Sequence, residues 1–153
     1  MDYVEKVLQP GEVILSRTHL HWFIYLSSIA TLILALVVLA TGMIFAPDYA
    51  YYVEIVAGLL GIFGLLKLFV AWIKRSSTEL AVTNRRIIHK TGFLSRTTSE
   101  MNREKVESVD VQQSLTGRIF GYGTVLVRGV GSTWEPFAHI ANPLAFRSSI
   151  TAA

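Results

Sequence analysis

The stretch AWIKRSSTELAVTNRRIIHKTG, residues 71–92, holds the change of character that decides the fold. Its opening residues end a long apolar run. After Ser76 the hydrophobic period shifts from helical to two-residue spacing. A strand is predicted over 78–83, with Leu80 and Val82 on one face. Asn84-Arg85 suits a tight turn, and 86–90 reads as the returning strand. Two kinds of architecture therefore meet near residue 74.

Upstream of this junction, residues 22–46 carry no charged side chain. About 20 apolar residues in a helix cross ~30 Å of hydrocarbon, so this run is long enough to span a bilayer. Residues 51–73 form a second such run, interrupted by Glu54 and Lys67. Glu54 lies within a turn of the run's start, and the stem of Lys67 can snorkel towards an interface. Pro47-Asp48 between the runs suits a tight helical hairpin.

Of the 153 residues, 52% are hydrophobic and 16% charged, against about 25% charged in an average soluble domain. The deficit of charge is concentrated in the two runs. Paired core helices of a soluble protein and a cleavable signal are the competing readings. The length of the first run argues against both, and its start only at Trp22 argues further against a signal. The sequence thus predicts an N-terminal segment (1–21), a two-helix transmembrane hairpin (22–73, spans 22–46 and 51–73) and a β module (74–153). Lys6, Arg17, Lys74, Arg75, Arg85 and Arg86 flank the hairpin, and 47–50 has no basic residue. That asymmetry predicts a multi-pass protein with both termini cytoplasmic. Ala57, Gly58, Gly61 and Gly64 are the candidate helix-packing positions, serving the hairpin itself or an oligomer.

Downstream, strands are predicted over 93–101, 106–112, 124–130 and 133–140, with Pro136 demoting the last to an edge or bulge. Residues 115–123 read as a glycine-punctuated connection whose Ile119 and Phe120 would plug one end of a barrel. Asn142-Pro143 reads as a capping side chain followed by a first-turn proline, starting a closing helix over 144–151. Residues 11–17 are expected to join or cover the sheet as a seventh strand.

The sequence also narrows the chemistry. There is no cysteine, and the net charge of +3 comes with no basic–aromatic motif for nucleic acid. His19 and His21 lack further ligands at metal-site spacing. No serine sits in a nucleophile elbow, and no glycine loop precedes a Lys-Ser/Thr pair. The reading is therefore no enzyme, no cofactor and no metal. Lys74, Arg75, Arg85, Arg86, Lys90 and Arg96 form a basic set with two readings: topogenic charge with a solvated turn, or contacts to anionic headgroups or a protein partner. Near an anionic leaflet each basic residue contributes about 1 kcal/mol.

GEVIL at 11–15 followed by HW at 21–22, TNRRII and KTGFLSR within 83–96, VESVDV and QSL within 106–115, and GRIFGYGTVLVR at 117–128 resemble the bacterial pleckstrin-homology-like proteins of the small membrane-associated type. The order of hairpin and β module is similar too. The resemblance implies a mainly-β PH-like module of about seven strands, as a partly open barrel or two near-orthogonal sheets, with a C-terminal capping helix. It implies non-catalytic binding or scaffolding at the cytoplasmic face of a bacterial inner (plasma) membrane, with membrane lipids, a protein partner or a homo-oligomer as contacts. The alternative is an accessory subunit of a larger membrane complex for transport or envelope stress, in which Glu54 and Lys67 pair with another protein's spans. Eukaryotic relatives of the fold bind phosphoinositides through a basic loop between the first two strands. Here that loop holds only Asn84, Arg85 and Arg86, so lipid specificity does not carry over.

Overall fold

The computed structural model describes residues 3–93, 97–133 and 136–152. In chain order its elements are α1 (Tyr3–Val7), β1 (Ile14–Thr18), α2 (Leu26–Phe45), α3 (Ala50–Ser77), β2 (Glu79–Thr83), β3 (Arg86–Thr91), β4 (Thr97–Asn102), β5 (Val106–Gln112), α4 (Leu115–Phe120), β6 (Tyr122–Gly129), β7 (Ser132–Thr133), β8 (Phe137–Ala141) and α5 (Pro143–Thr151). Contacts divide the chain into two compact units, Trp22–Ile73 and Met1–His21 with Lys74–Ala153.

The β unit holds two antiparallel sheets, not a closed barrel. One has the order β1-β2-β3-β4; in the other β5 and β7 flank β6, and β8 also pairs with β6. The N-terminal strand lies at Ile14–Thr18 and pairs with β2 through Arg17↔Ala81 and Thr18↔Leu80. The last strand expected from the sequence is split into β7 and β8 on either side of Trp134-Glu135, which lie outside the described residues. The sheets meet where β1 runs on towards β8. A bridge joins Leu20 to Ile140, and the His21 N–H donates to the His139 carbonyl at 2.6 Å.

Both faces of β2 are buried, which explains its unbroken apolar run better than a half-exposed strand does. Leu80, Val82 and Ile87 turn to one face and are at most 1% exposed, as are Val125 and Val127 of β6. Ala81 and Ile88, paired across β2 and β3, turn to the other face, where Val4 of α1 covers them. Helix α5 packs on β1, β5 and β6, burying Phe146 and Ile150. Two expectations fail here. The Asn142 side chain makes no capping bond and its residue sits at φ 49°, so Pro143 alone marks the helix start. Residues 115–120 form a helix in which Ile119 is 77% and Phe120 46% exposed, so neither plugs the space between the sheets.

The other unit is a pair of helices joined by a single 3-10 turn, Pro47–Tyr49. Both helices are long and apolar enough to cross a membrane, and only 11% of each apolar window is buried. Core helices of a soluble protein would be mostly buried. Lys67 of α3 donates to the Ser27 carbonyl at 3.2 Å and the Thr31 hydroxyl at 3.1 Å on α2, so the deep charge finds its partners inside the hairpin. Glu54 is exposed. Ala57 is buried, and a Cβ on Gly64 would lie 2.7 Å from Leu32 Cδ2. Gly58 and Gly61 face open space; they do not pack the two helices together. The close approach missed from sequence is Gly42, where a Cβ would collide with the branched side chain of Val53.

Candidate functional site

The expected basic set does not form one patch. Arg85 and Arg86 sit at the turn between β2 and β3. Lys90 lies four residues further along β3, about 13 Å at ~3.3 Å per residue. Lys74 and Arg75 lie in the last turns of α3, before the opposite end of β2. Arg96 falls outside the described residues.

Arg86 is the centre of an ion-pair clamp. Gln9-Pro10-Gly11-Glu12 forms a turn closed by the Glu12 N–H donating to the Gln9 carbonyl at 2.9 Å. Proline in its second position and glycine at φ 78° in its third are the residues such a turn requires. The turn points the Glu12 carboxylate at Arg86. Arg86 Nε donates to Glu12 Oε1 at 3.0 Å and Nη2 to Oε2 at 2.9 Å. Its Nη1 donates to Glu100 at 2.6 Å and Nη2 also to the Val7 carbonyl at 2.8 Å. The Glu12 side chain has no exposed surface, and that of Arg86 is 13% exposed.

Burial alone would raise the Glu12 pKa. Hydrogen bonds from Arg86, the Gln9 N–H and the Thr83 hydroxyl outweigh it and hold the value at about 2. The bonds to Glu12, with Glu100 adding its charge, raise Arg86 further above its ordinary value. Asn84 ties the same turn to the N-terminal segment: its Oδ1 accepts from the Val13 N–H at 3.0 Å. Arg85 is the basic residue of this turn that stays exposed. At the far end of β3, Lys90 pairs with Glu79 at 3.3 Å. The headgroup or partner contact the sequence allowed for Arg86 thus meets a side chain already held by two carboxylates.

Several clefts line the β unit among the described residues, two of them beside Arg86 and His89. The larger, about 760 Å³, runs from the β2–β3 turn to the end of α5; its charged lining is Arg85, Arg86 and Arg103 against Glu100, Glu104 and Glu107. Equal numbers of each sign give no field selective for an anion. Arg103 Nε donates to the Ile150 carbonyl at 2.9 Å, satisfying the last turn of α5. The second cleft, about 560 Å³, is lined by Lys74, His89, Ser99 and Phe137 among others. His89 packs on Phe137, ring centroids 4.3 Å apart.

A third cluster joins two of the remaining histidines. The Tyr122 ring stacks 5.5 Å from His21 and 5.7 Å from His139. Burial, then the charges of Arg75, His19 and His139, lowers the His21 pKa. Burial and Lys74 lower that of His139. Both imidazoles are therefore favoured neutral. Among the described residues no group of histidines and carboxylates is arranged to hold a metal ion.

In comparison with known proteins, a family model described as a bacterial PH domain matches residues 20–153. No curated protein matches the chain, and no solved structure does.

Proposed function

We propose that this chain, which belongs to the bacterial PH domain family, is a membrane-anchored, non-catalytic binding module. PH domains are generally interaction modules, and the two sheets with their closing helix agree with that fold. The observation that carries the anchoring is the helical unit: large apolar side chains such as Leu36, Phe63 and Phe69 are 66%, 56% and 57% exposed along both helices. Lipid covers such a surface at no cost, whereas water does not. The basic flanks favour a cytoplasmic side for residues 1–21 and 74–153.

Partner recognition is assigned to protein contact at an exposed strand edge. β4 is the outer strand of its sheet, and Thr97, Thr98, Glu100 and Asn102 on it are exposed. An extended peptide can add to such an edge through main-chain hydrogen bonds. Headgroup docking at the β2–β3 turn is disfavoured because Arg86 is already paired. The test is amide hydrogen exchange of the full chain in nanodiscs of zwitterionic and of anionic lipid. Equal protection of residues 84–90 in both supports protein recognition. Added protection there in anionic lipid would restore headgroup binding by the turn. The alternative, an accessory subunit whose spans pair with a foreign protein through Lys67, has less support, since Ser27 and Thr31 already occupy that ammonium.

A further inference from the structure

Helix α4 exposes apolar surface on a backbone that is firmly held. Leu115 is 78%, Ile119 77% and Phe120 46% exposed. Leu115 and Ile119 are four apart, so they share a face. Arg118 beside them is exposed. The helix is fastened at both ends. The Ser114 hydroxyl accepts the Gly117 N–H at 3.1 Å, and the Gln113 amide donates to the Tyr122 carbonyl at 3.0 Å. Gly121 ends the helix at φ 76°. A Cβ on Gly117 would stand 2.6 Å from the Tyr122 carbonyl oxygen, so only glycine permits this close fit.

The position of α4 indicates what covers it. Thr116 and Tyr122 share a hydrogen bond through their hydroxyls at 2.9 Å, and the Tyr122 ring stacks on His21. His21 directly precedes Trp22, the start of the first apolar run. Arg75, just past the second run, donates from Nε to the Leu20 carbonyl at 3.1 Å. The helix therefore belongs to the rim of the β unit where the chain leaves for residues 22–73 and returns from them. Lys74 and Arg75 add positive charge to the same rim.

We propose that α4 is an interfacial lipid contact: Leu115, Ile119 and Phe120 enter the boundary between headgroups and acyl chains, with Arg118, Lys74 and Arg75 facing the anionic headgroups. An apolar face with a basic flank is the chemistry of interfacial helices. Tethering at residues 21 and 74 keeps a lipid surface at high effective concentration, which a separate protein would lack. The inference rests on residues 22–73 crossing the bilayer.

The chain has no cysteine, so single probes can be placed at will. The full chain is reconstituted alone into anionic vesicles with an environment-sensitive fluorophore at I119C, at L36C in α2, or at V130C, which lies beyond the end of β6 distant from Tyr122. L115C repeats the reading with Ile119 intact. The expected result is quenching by brominated lipid at positions 36, 119 and 115, and quenching by aqueous iodide at 130 alone. Position 36 in lipid with 119 and 115 as open to iodide as 130 would overturn the inference while leaving the anchor intact, and would give the patch to a protein partner. Lipid quenching at 130 equal to that at 119 would also overturn it. Position 36 open to iodide would overturn both the inference and the membrane reading.

Discussion

Replacing Glu12 by Gln removes the negative charge from the clamp while keeping its shape. The native carboxyl titrates at about 2 rather than at its ordinary 4.5, and at about 1.4 kcal/mol per pKa unit the difference is about 3 kcal/mol of stability at neutral pH. Breaking a buried pair by removing one partner costs about 3–5 kcal/mol, and the surviving Glu100 contact puts Glu12→Gln at the lower end. Such a loss is large against a typical total of about 5–15 kcal/mol. The pH dependence has a fixed sign. Between about 4.5 and 2 the unfolded carboxyl takes up a proton that the folded one does not, so acid favours unfolding. The contribution is whole above about pH 5 and gone below about pH 2. Amide hydrogen exchange of the full chain in micelles, corrected for intrinsic rates, reads this out at β2 and β3. At pH 7 the variant should exchange there roughly a hundredfold faster than wild type, and the gap should close as pH falls towards 2.5. Equal protection at pH 7, or a gap that persists undiminished in acid, would refute the reasoning.

In the hairpin, Gly42→Ala should destabilise by about 1–3 kcal/mol because Val53 must move. Gly58→Ala and Gly61→Ala should leave hairpin stability unchanged, with unfolding in micelles as the check; a shift in oligomeric mass for the latter two would assign that face to self-association. His21 and His139 titrate below their ordinary 6.5, so the folded state favours neutral rings. Stability from this stack is present above about 6.5 and lost as pH falls below it. Imidazole proton shifts followed by NMR from pH 8 to 5 should show both midpoints below the ordinary 6.5.

The β unit was readable where period-two alternation coincided with turn chemistry. Leu80, Val82 and the Asn84-Arg85 turn are where the sequence placed them, because strand pairing over a two-residue turn is local. The Arg86 clamp was not readable. Its partner Glu12 is 74 residues away, and no local pattern marks a carboxylate on a Pro-Gly turn as the mate of an arginine after the hairpin. Helix α1 escaped notice because five residues are too few to show a period. The small-residue repeat divides between Gly64, set against Leu32, and Gly58 and Gly61, which face open space, since spacing shows that positions share a helix face but not which face meets the neighbour. Residues 115–123 read as a connection rather than a helix, and Ile119 and Phe120 as plugging a barrel end, because apolar side chains are ordinarily inside.

The central claim is that two membrane-crossing helices hold the β unit on the cytoplasmic side. The most direct measurement labels single cysteines on intact cells with a membrane-impermeant maleimide, one at Asp48→Cys in the 3-10 turn and one at Val130→Cys in the β unit. The account predicts that position 48 reacts without permeabilisation, and that position 130 reacts only after the inner membrane is opened. Reaction of both positions on the same side, or recovery of the chain in the soluble fraction after lysis, would contradict it.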